Sequence, residues 1–112
     1  MFIGEASKKT GLSIKAIRFY EEKGLINPPE RIGRYRVYQE EEVELLILIK
    51  EAKALGVTLS QLKVLIAYNN GQVDWARVKV FLSEIRKQLV HQIDDIKQKI
   101  DSLDKCYNQI NP

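Results

Sequence analysis

The sequence predicts a mainly α-helical protein with two parts: a small helix-turn-helix domain that carries a β-hairpin wing, and one long C-terminal helix. Three observations favour this fold class. Two short helical stretches near the N-terminus are separated by a glycine. A proline pair and an alternating run of aromatic and β-branched residues follow them. The last third of the chain carries a seven-residue apolar repeat that neither glycine nor proline interrupts.

Composition limits the class of protein. The 112 residues suffice for one small domain with an appendage, and 45% hydrophobic and 29% charged residues are ordinary for a globular chain. The net charge is +3, and the whole excess lies in residues 1–40, which hold eight Lys and Arg against five Asp and Glu. A basic excess confined to one segment is typical of a protein that binds a polyanion.

The cysteine content and the hydropathy of the sequence indicate the cellular compartment of the protein. Cys106 is the only cysteine, which excludes an internal disulfide and fits a reducing environment. No apolar run approaches the roughly 18 residues of a membrane span. The first residues also lack the apolar core of a signal peptide. We therefore expect a cytoplasmic protein.

The first domain is predicted over residues 1–70, and it begins with a pair of helices. The first helix is expected over residues 2–10, with Gly11 as the break, because glycine readily adopts the positive φ of a helix end. Ser13 is a favourable N-cap for a second helix over residues 13–23.

A wing and two further helices complete the predicted domain. The wing is expected over residues 28–38, where Pro28 and Pro29 exclude a helix and Gly33 supplies a turn. Helices are predicted over 40–55 and 60–68, with Thr58 or Ser60 as the cap of the second. Residues 69–74 are predicted to be a turn or hinge.

Residues 71–112 are predicted to form a dimerisation helix with room for an effector region. Its apolar seam consists of Val78, Leu82, Ile85, Leu89, Ile93, Ile96, Ile100, Leu103 and Tyr107. The first domain is too small to cover such a long stripe. The seam therefore predicts a homodimer held by a coiled coil.

The second helix and the wing carry residue types that recognise nucleic acid. Ile14, Ile17 and Tyr20 or Glu21 share the side that anchors the helix, while Ser13, Lys15, Ala16, Arg18 and Phe19 lie around its front. Arg18 can fork onto a guanine edge or a phosphate, and Lys15 suits a phosphate. Tyr20 can donate its hydroxyl to a phosphate while its ring packs. The wing adds Arg31, Arg34, Tyr35, Arg36 and Tyr38.

Several motifs together resemble the MerR family of bacterial transcription regulators. They are SIKAIRFYEEKGL, the proline pair, R-x-G-x-YRVY, KALG and TLSQLKVLI, all within residues 13–66. Together with the long dimerisation helix, the resemblance covers essentially the entire chain. The DNA-binding half resembles the copper-sensing branch, although the wing is one residue shorter. The resemblance implies double-stranded promoter DNA and a second copy of the chain as partners, with the two dimer helices antiparallel.

The resemblance also implies a mechanism. The dimer would sit on a palindromic operator between the −35 and −10 promoter elements and distort the DNA so that RNA polymerase engages both. Polymerase would thus be affected only through the DNA. Carried onto this chain, the DNA contacts implied by the family fall on Lys15, Arg18, Tyr20, Arg31, Tyr35, Arg36, Tyr38 and Lys53.

The sequence leaves the effector open. A two-thiolate site for Cu(I) or Hg(II) is not expected with one cysteine. His91, Asp94 and Asp95 have a spacing that can hold a divalent ion such as nickel or zinc, but a solvated helix face is the simpler reading. Cys106 can be a packed thiol, a metal ligand or a redox switch. Trp75 can line a pocket for an organic molecule or pack against the first domain.

Other functions fit the sequence less well. An enzyme is not predicted, because one histidine, one cysteine and no paired-carboxylate pocket leave nothing to assign to catalysis. An architectural protein of the excisionase type would share the winged fold but not the long helix. A coiled-coil scaffold alone would leave Arg18 and the basic wing unexplained.

Overall fold

The computed structural model describes residues 1–27, 29–66, 68–69 and 72–111. It confirms the predicted fold class, a mainly helical chain with a winged helix-turn-helix and a long C-terminal helix. The chain divides into two compact units, Met1–Val73 and the residues from Asp74 onward. The predicted division lay three residues earlier. Of the predicted segments, Pro28 in the wing and residues 67, 70, 71 and 112 lie outside the described residues.

The first two helices are α1 (Ile3–Thr10) and α2 (Ile14–Glu22). Gly11 ends α1 with a φ of 75°, and its N–H donates to the Ser7 carbonyl at 2.9 Å. This left-handed cap reverses the chain at once, which explains why a glycine stands at this position. Ser13 caps α2 as predicted, because its hydroxyl accepts from the Ala16 N–H at 3.0 Å.

Two hydroxyls in α1 hold the turn that leads into α2. The buried Thr10 Oγ1 donates to the Ala6 carbonyl at 2.8 Å and accepts from the Leu12 N–H at 3.1 Å. Ser7 Oγ donates to the Leu12 carbonyl at 2.6 Å. Both backbone polar groups of Leu12 are therefore satisfied by side chains, and the direction of α2 relative to α1 is fixed.

The wing is an antiparallel hairpin of β1 (Glu30–Ile32) and β2 (Tyr35–Val37). Its register places Arg31 opposite Arg36, and Gly33 at the tip has a φ of 62°. The N-terminus extends the pairing beyond β2. The Met1 amino group donates to the Tyr38 carbonyl at 2.9 Å, and the Tyr38 N–H donates to the Met1 carbonyl at 2.6 Å.

Helices α3 (Glu40–Ala54) and α4 (Leu59–Leu65) follow. A capping box of Gln39 and Glu42 begins α3, and one of Thr58 and Gln61 begins α4. Thr58, rather than Ser60, is thus the cap of α4. This helix ends at Leu65, earlier than the predicted residue 68.

A second pair of antiparallel strands overlaps the turn predicted over residues 69–74 and begins one residue before it, at Tyr68. Its strands are β3 (Tyr68–Asn69) and β4 (Gln72–Val73), with Tyr68 paired to Val73 and Asn69 to Gln72. Two-residue strands are too short to produce an alternating apolar pattern, so the sequence showed only the turn residues between them.

The core of the first unit joins α1, α2, α3 and α4. Its fully buried side chains include Ile17, Leu25, Ile26, Tyr38, Leu45, Leu46, Ile49 and Leu62. One polar contact also joins α3 to α1, since Lys50 Nζ donates to the Thr10 carbonyl at 3.4 Å. A cation at this place suits the negative end of the α1 dipole.

The second unit is one helix, α5 (Trp75–Gln109), of 35 residues. Asp74 caps it by accepting from the Arg77 N–H at 3.2 Å. At ~1.5 Å per residue, α5 extends roughly 50 Å. Among the helices of the described residues, none combines the length and the apolar character that crossing a membrane requires.

Gly11 offers a test of the turn. Replacing it with alanine should lower the free energy of unfolding by about 1–2 kcal/mol, the cost of a left-handed conformation for a residue with a side chain. The new Cβ would also lie 2.4 Å from Lys50 Nζ and push that amine away from Thr10. Urea denaturation followed by circular dichroism measures the change.

Gly4 provides the matched control, because it lies within α1 and a Cβ there would meet nothing within 4 Å. Gly4→Ala should raise the free energy of unfolding by about 0.5–1 kcal/mol, since alanine is the better helix former. Equal effects of the two substitutions would contradict the assigned role of Gly11.

Candidate nucleic-acid interface

The exposed side of α2 presents two cations. Lys15 and Arg18 are both exposed, and neither forms an ion pair with another residue that the structure describes. They lie in the first turns of a helix whose opposite side is anchored by the fully buried Ile17. Their charges are therefore held on a rigid element and left available to an outside anion.

The remaining predicted residues of α2 are less exposed than its cations. Tyr20 is 9% exposed, so its ring packs into the core. This agrees with its predicted place on the side that anchors α2. Ala16 is half-buried, and Ser13 is used as the helix cap. Ile14, which was predicted to anchor the helix, is exposed, because it lies at the first position of α2.

An ion pair joins the far end of α2 to the wing. Arg36 Nε lies 3.0 Å from Glu21 Oε1, and the Glu21 side chain is only 8% exposed whereas that of Arg36 is 30% exposed. The Nε–H does not align with the carboxylate as a hydrogen bond, so the contact is electrostatic. Removing one partner of such a pair leaves the other charge partly buried, which is costly.

Tyr38, which follows β2, is buried and not exposed at the surface of the wing. Its side chain is 1% exposed, and its hydroxyl is buried without a hydrogen-bond partner among the described residues. Burial, and next the charge of Glu21, raise the pKa of the Tyr38 hydroxyl above its ordinary value, against the opposing effect of Arg36 and Arg18. The structure thus places the Tyr38 side chain in the core, and its contact with DNA stays a prediction.

The rest of the wing is exposed. Arg31 and Arg34 are exposed and form no ion pair within the described part of the chain. Tyr35 is exposed too, and its ring centroid lies 5.7 Å from that of Phe2. Arg31 and Arg36 are cross-strand neighbours, and like charges in this position repel. Lys53 is exposed in the last turn of α3.

The predicted effector residues do not form a metal site within one protomer. His91 Nε2 lies 3.7 Å from Asp95 Oδ2 on an exposed face of α5, and Asp94 accepts from Gln98 at 3.4 Å. Cys106 is an exposed free thiol, and Trp75 is exposed. The described residues include no group of three or more His, Cys, Asp or Glu side chains that could hold a metal ion.

The apolar seam of α5 is mostly uncovered in the single chain. Val78 is buried, and Leu82 and Ile85 are half-buried. The later ones are exposed: Leu89, Ile93, Ile96, Ile100, Leu103 and Tyr107. An exposed apolar stripe of this length is characteristic of an interaction surface.

A rigid helix with free cations, beside a basic β-hairpin, defines the class of winged helix-turn-helix DNA-binding proteins. Comparison with known families agrees. The model described as MerR HTH family regulatory protein matches residues 1–69, and the model described as MerR, DNA binding matches residues 43–106. The chain belongs to the MerR family, whose members are DNA-binding transcription regulators and not enzymes.

Relatives cover nearly all of this chain. The transcriptional regulator CueR of Escherichia coli O6:H1 is 36% identical, over 98% of this chain and 78% of the relative. A protein of Haemophilus influenzae named as a probable heavy metal-dependent transcriptional regulator is also 36% identical, over 100% of this chain and 92% of its own.

Solved structures show the same fold. A MerR family regulator from Listeria monocytogenes has a TM-score of 0.68 at 27% identity, over 96% of this chain and 83% of that one. The regulator PbrR691 from Ralstonia metallidurans, solved in complex with lead(II), has a TM-score of 0.55 at 26% identity, over 94% of this chain and 86% of that one.

Arg18 is the residue to test first at this surface. Arg18→Ala should weaken binding to a duplex that the wild-type protein has selected from a randomised pool. It should also reduce the dependence of log K on log salt by about two units, because one phosphate contact is lost in each protomer of the dimer. Fluorescence anisotropy at several salt concentrations measures both quantities.

Lys99→Ala is the control for Arg18→Ala, since it removes one exposed positive charge from α5 instead of α2. It should leave affinity nearly unchanged. Unchanged affinity in Arg18→Ala would refute the role of α2 as the recognition helix, and light scattering would verify that the oligomeric state is preserved.

Proposed function

We propose that this regulator acts as a homodimer on a palindromic operator within promoter DNA and changes transcription by distorting that DNA in response to an effector. The observation that carries the proposal is the pair of exposed cations on α2, Lys15 and Arg18, beside a wing that is tied to the same helix through Arg36 and Glu21. Two basic elements held in a fixed relative position can contact a DNA groove and the phosphates beside it.

The dimer is supported by the uncovered stripe of α5. Exposed Leu89, Ile93 and Ile96 recur at steps of four and three residues, which is the spacing that packs against a second helix. Two copies in antiparallel arrangement would present two identical DNA-binding units, and a two-fold axis in the protein calls for a palindromic site.

DNA distortion supplies the regulatory step of this proposal. A protein that affects polymerase only through DNA can alter transcription by bending or untwisting the spacer between the −35 and −10 elements. This deformation costs free energy, which the protein–DNA contacts must offset. The place of action would be the cytoplasm, where bacterial promoters are transcribed.

A substitution in the stripe tests the dimer. Leu89→Asp should give monomers, because it places a charge in the centre of the apolar seam. Analytical ultracentrifugation measures the mass, and anisotropy should show that the monomer has lost most of its affinity for the selected duplex.

Ser102→Asp introduces the same charge on another side of α5, where the neighbouring residues are exposed and polar, and should leave the dimer intact. An intact dimer in Leu89→Asp, with circular dichroism unchanged, would reject the seam assigned here.

A metal ion is the effector class that the names of the relatives support. The donors of one protomer do not fit a complete site: a pair formed by His91 and Asp95 and a lone thiol fall short of the three or four protein ligands of a tight zinc site. From the residues of this chain alone, a tight site would need donors from both protomers.

Calorimetric titration tests the metal directly, with Ni(II), Zn(II), Co(II) and Cu(I) added to the metal-free dimer. We expect one of these ions to bind, and binding to be lost in His91→Ala or Cys106→Ala and in the Leu89→Asp monomer. The same ion should alter the nuclease footprint at the centre of the selected duplex.

Absence of binding for all four ions would reject the metal effector. The alternatives would then be an organic molecule near the exposed Trp75, or oxidation of the exposed Cys106 thiol, which is the remaining reactive group of α5.

A further inference from the structure

Glu21 is a buried carboxylate at the end of a helix that is expected to bind a polyanion. Its side chain is 8% exposed, and its Oε2 atom has no hydrogen-bond partner among the described residues. Simple electrostatics predicts that an acidic group here weakens DNA binding. The structure thus raises the question of what this residue contributes.

The partner of Glu21 is a guanidinium with more than one donor. Arg36 places Nε at 3.0 Å from the carboxylate, and its side chain remains 30% exposed. A guanidinium carries five N–H groups in a fixed planar fork, so the edge that does not face Glu21 can meet a phosphate at the same time. Lysine, with a single ammonium on a flexible stem, cannot hold two such anions in fixed geometry.

The register of the wing gives Glu21 a second effect. Arg31 lies directly opposite Arg36, so two positive charges face each other across the hairpin. Such a pair is unfavourable unless an anion lies close to it. The Glu21 carboxylate lies 3.0 Å from Arg36 Nε, so it offsets one of these two charges in the free protein.

We propose that Glu21 is a positioning residue for DNA recognition: it orients Arg36 toward a backbone phosphate and holds the wing against α2. This inference rests on the proposed function, because it presupposes operator binding. Electrostatic repulsion alone predicts that removal of this negative charge strengthens DNA binding. The proposal predicts the opposite, that its removal weakens binding.

The test is a double-mutant cycle on the full chain, with a duplex that the wild-type protein has selected from a randomised pool. Glu21→Gln removes the charge and keeps the shape. It should lower affinity about a hundredfold, the size of one charge-assisted hydrogen bond in each protomer, and reduce the salt slope by about two units. In an Arg36→Ala background the same substitution should change affinity less than twofold, because Glu21 acts through Arg36.

Glu22→Gln is the matched control, since Glu22 is the next residue along α2 and is exposed. It should leave affinity unchanged or raise it slightly. Arg36→Lys keeps the positive charge and serves if Glu21→Gln does not fold. It should bind as weakly as Arg36→Ala.

The inference would be overturned if Glu21→Gln bound the duplex as tightly as the wild type or more tightly. It would also be overturned if the two losses in the double-mutant cycle were additive, or if Arg36→Lys bound with wild-type affinity. Any of these results, with a wild-type protein that binds its duplex, would leave the proposed function standing. A wild-type protein that selects no duplex would overturn the proposed function itself.

Discussion

The geometry of the N-terminal unit depends on one buried hydroxyl, that of Thr10. It links the last turn of α1 to Leu12, and Leu12 precedes the residue that caps α2. A left-handed residue at Gly11 then allows the chain to reverse within three positions. Lys50 of α3 also donates to the Thr10 carbonyl. Thr10 therefore links α1 and α3 to α2, the helix that carries the exposed Lys15 and Arg18.

The cations of this unit divide into those that hold the fold and those that remain free. Lys50 caps α1, Arg36 pairs with Glu21, and Lys23 lies 5.6 Å from the centre of the Phe19 ring. Lys15 and Arg18 have no such ion pair within the described residues, and they point outward from a helix with a fully buried side. A chain with a modest net charge can therefore present exposed cations on α2, while other positive charges of the same unit are engaged in contacts within the protein.

Local signals in the sequence predicted local structure well. Ser13 and the break at Gly11 act through neighbours a few residues away, and both were found where the sequence placed them. The burial of Tyr38 and the pairing of Arg36 were not predictable, since they depend on how the wing packs against α2, which is distant in the chain. The hairpin of β3 and β4 was missed because its strands are too short to show a period. The effector was not predictable for a further reason: within the described part of one protomer, no three donor side chains come together as a metal site.

The tip of the wing has a consequence for how such proteins diversify. Gly33 has a positive φ, and a Cβ there would meet nothing within 4 Å, so the tip is free of packing constraints. The contact that anchors the wing, between Arg36 and Glu21, lies on β2 and α2 instead. Insertions or deletions at the tip can therefore change how far the wing extends while its base stays in place. Evolution can thus alter the reach of the wing separately from the stability of the domain that carries it.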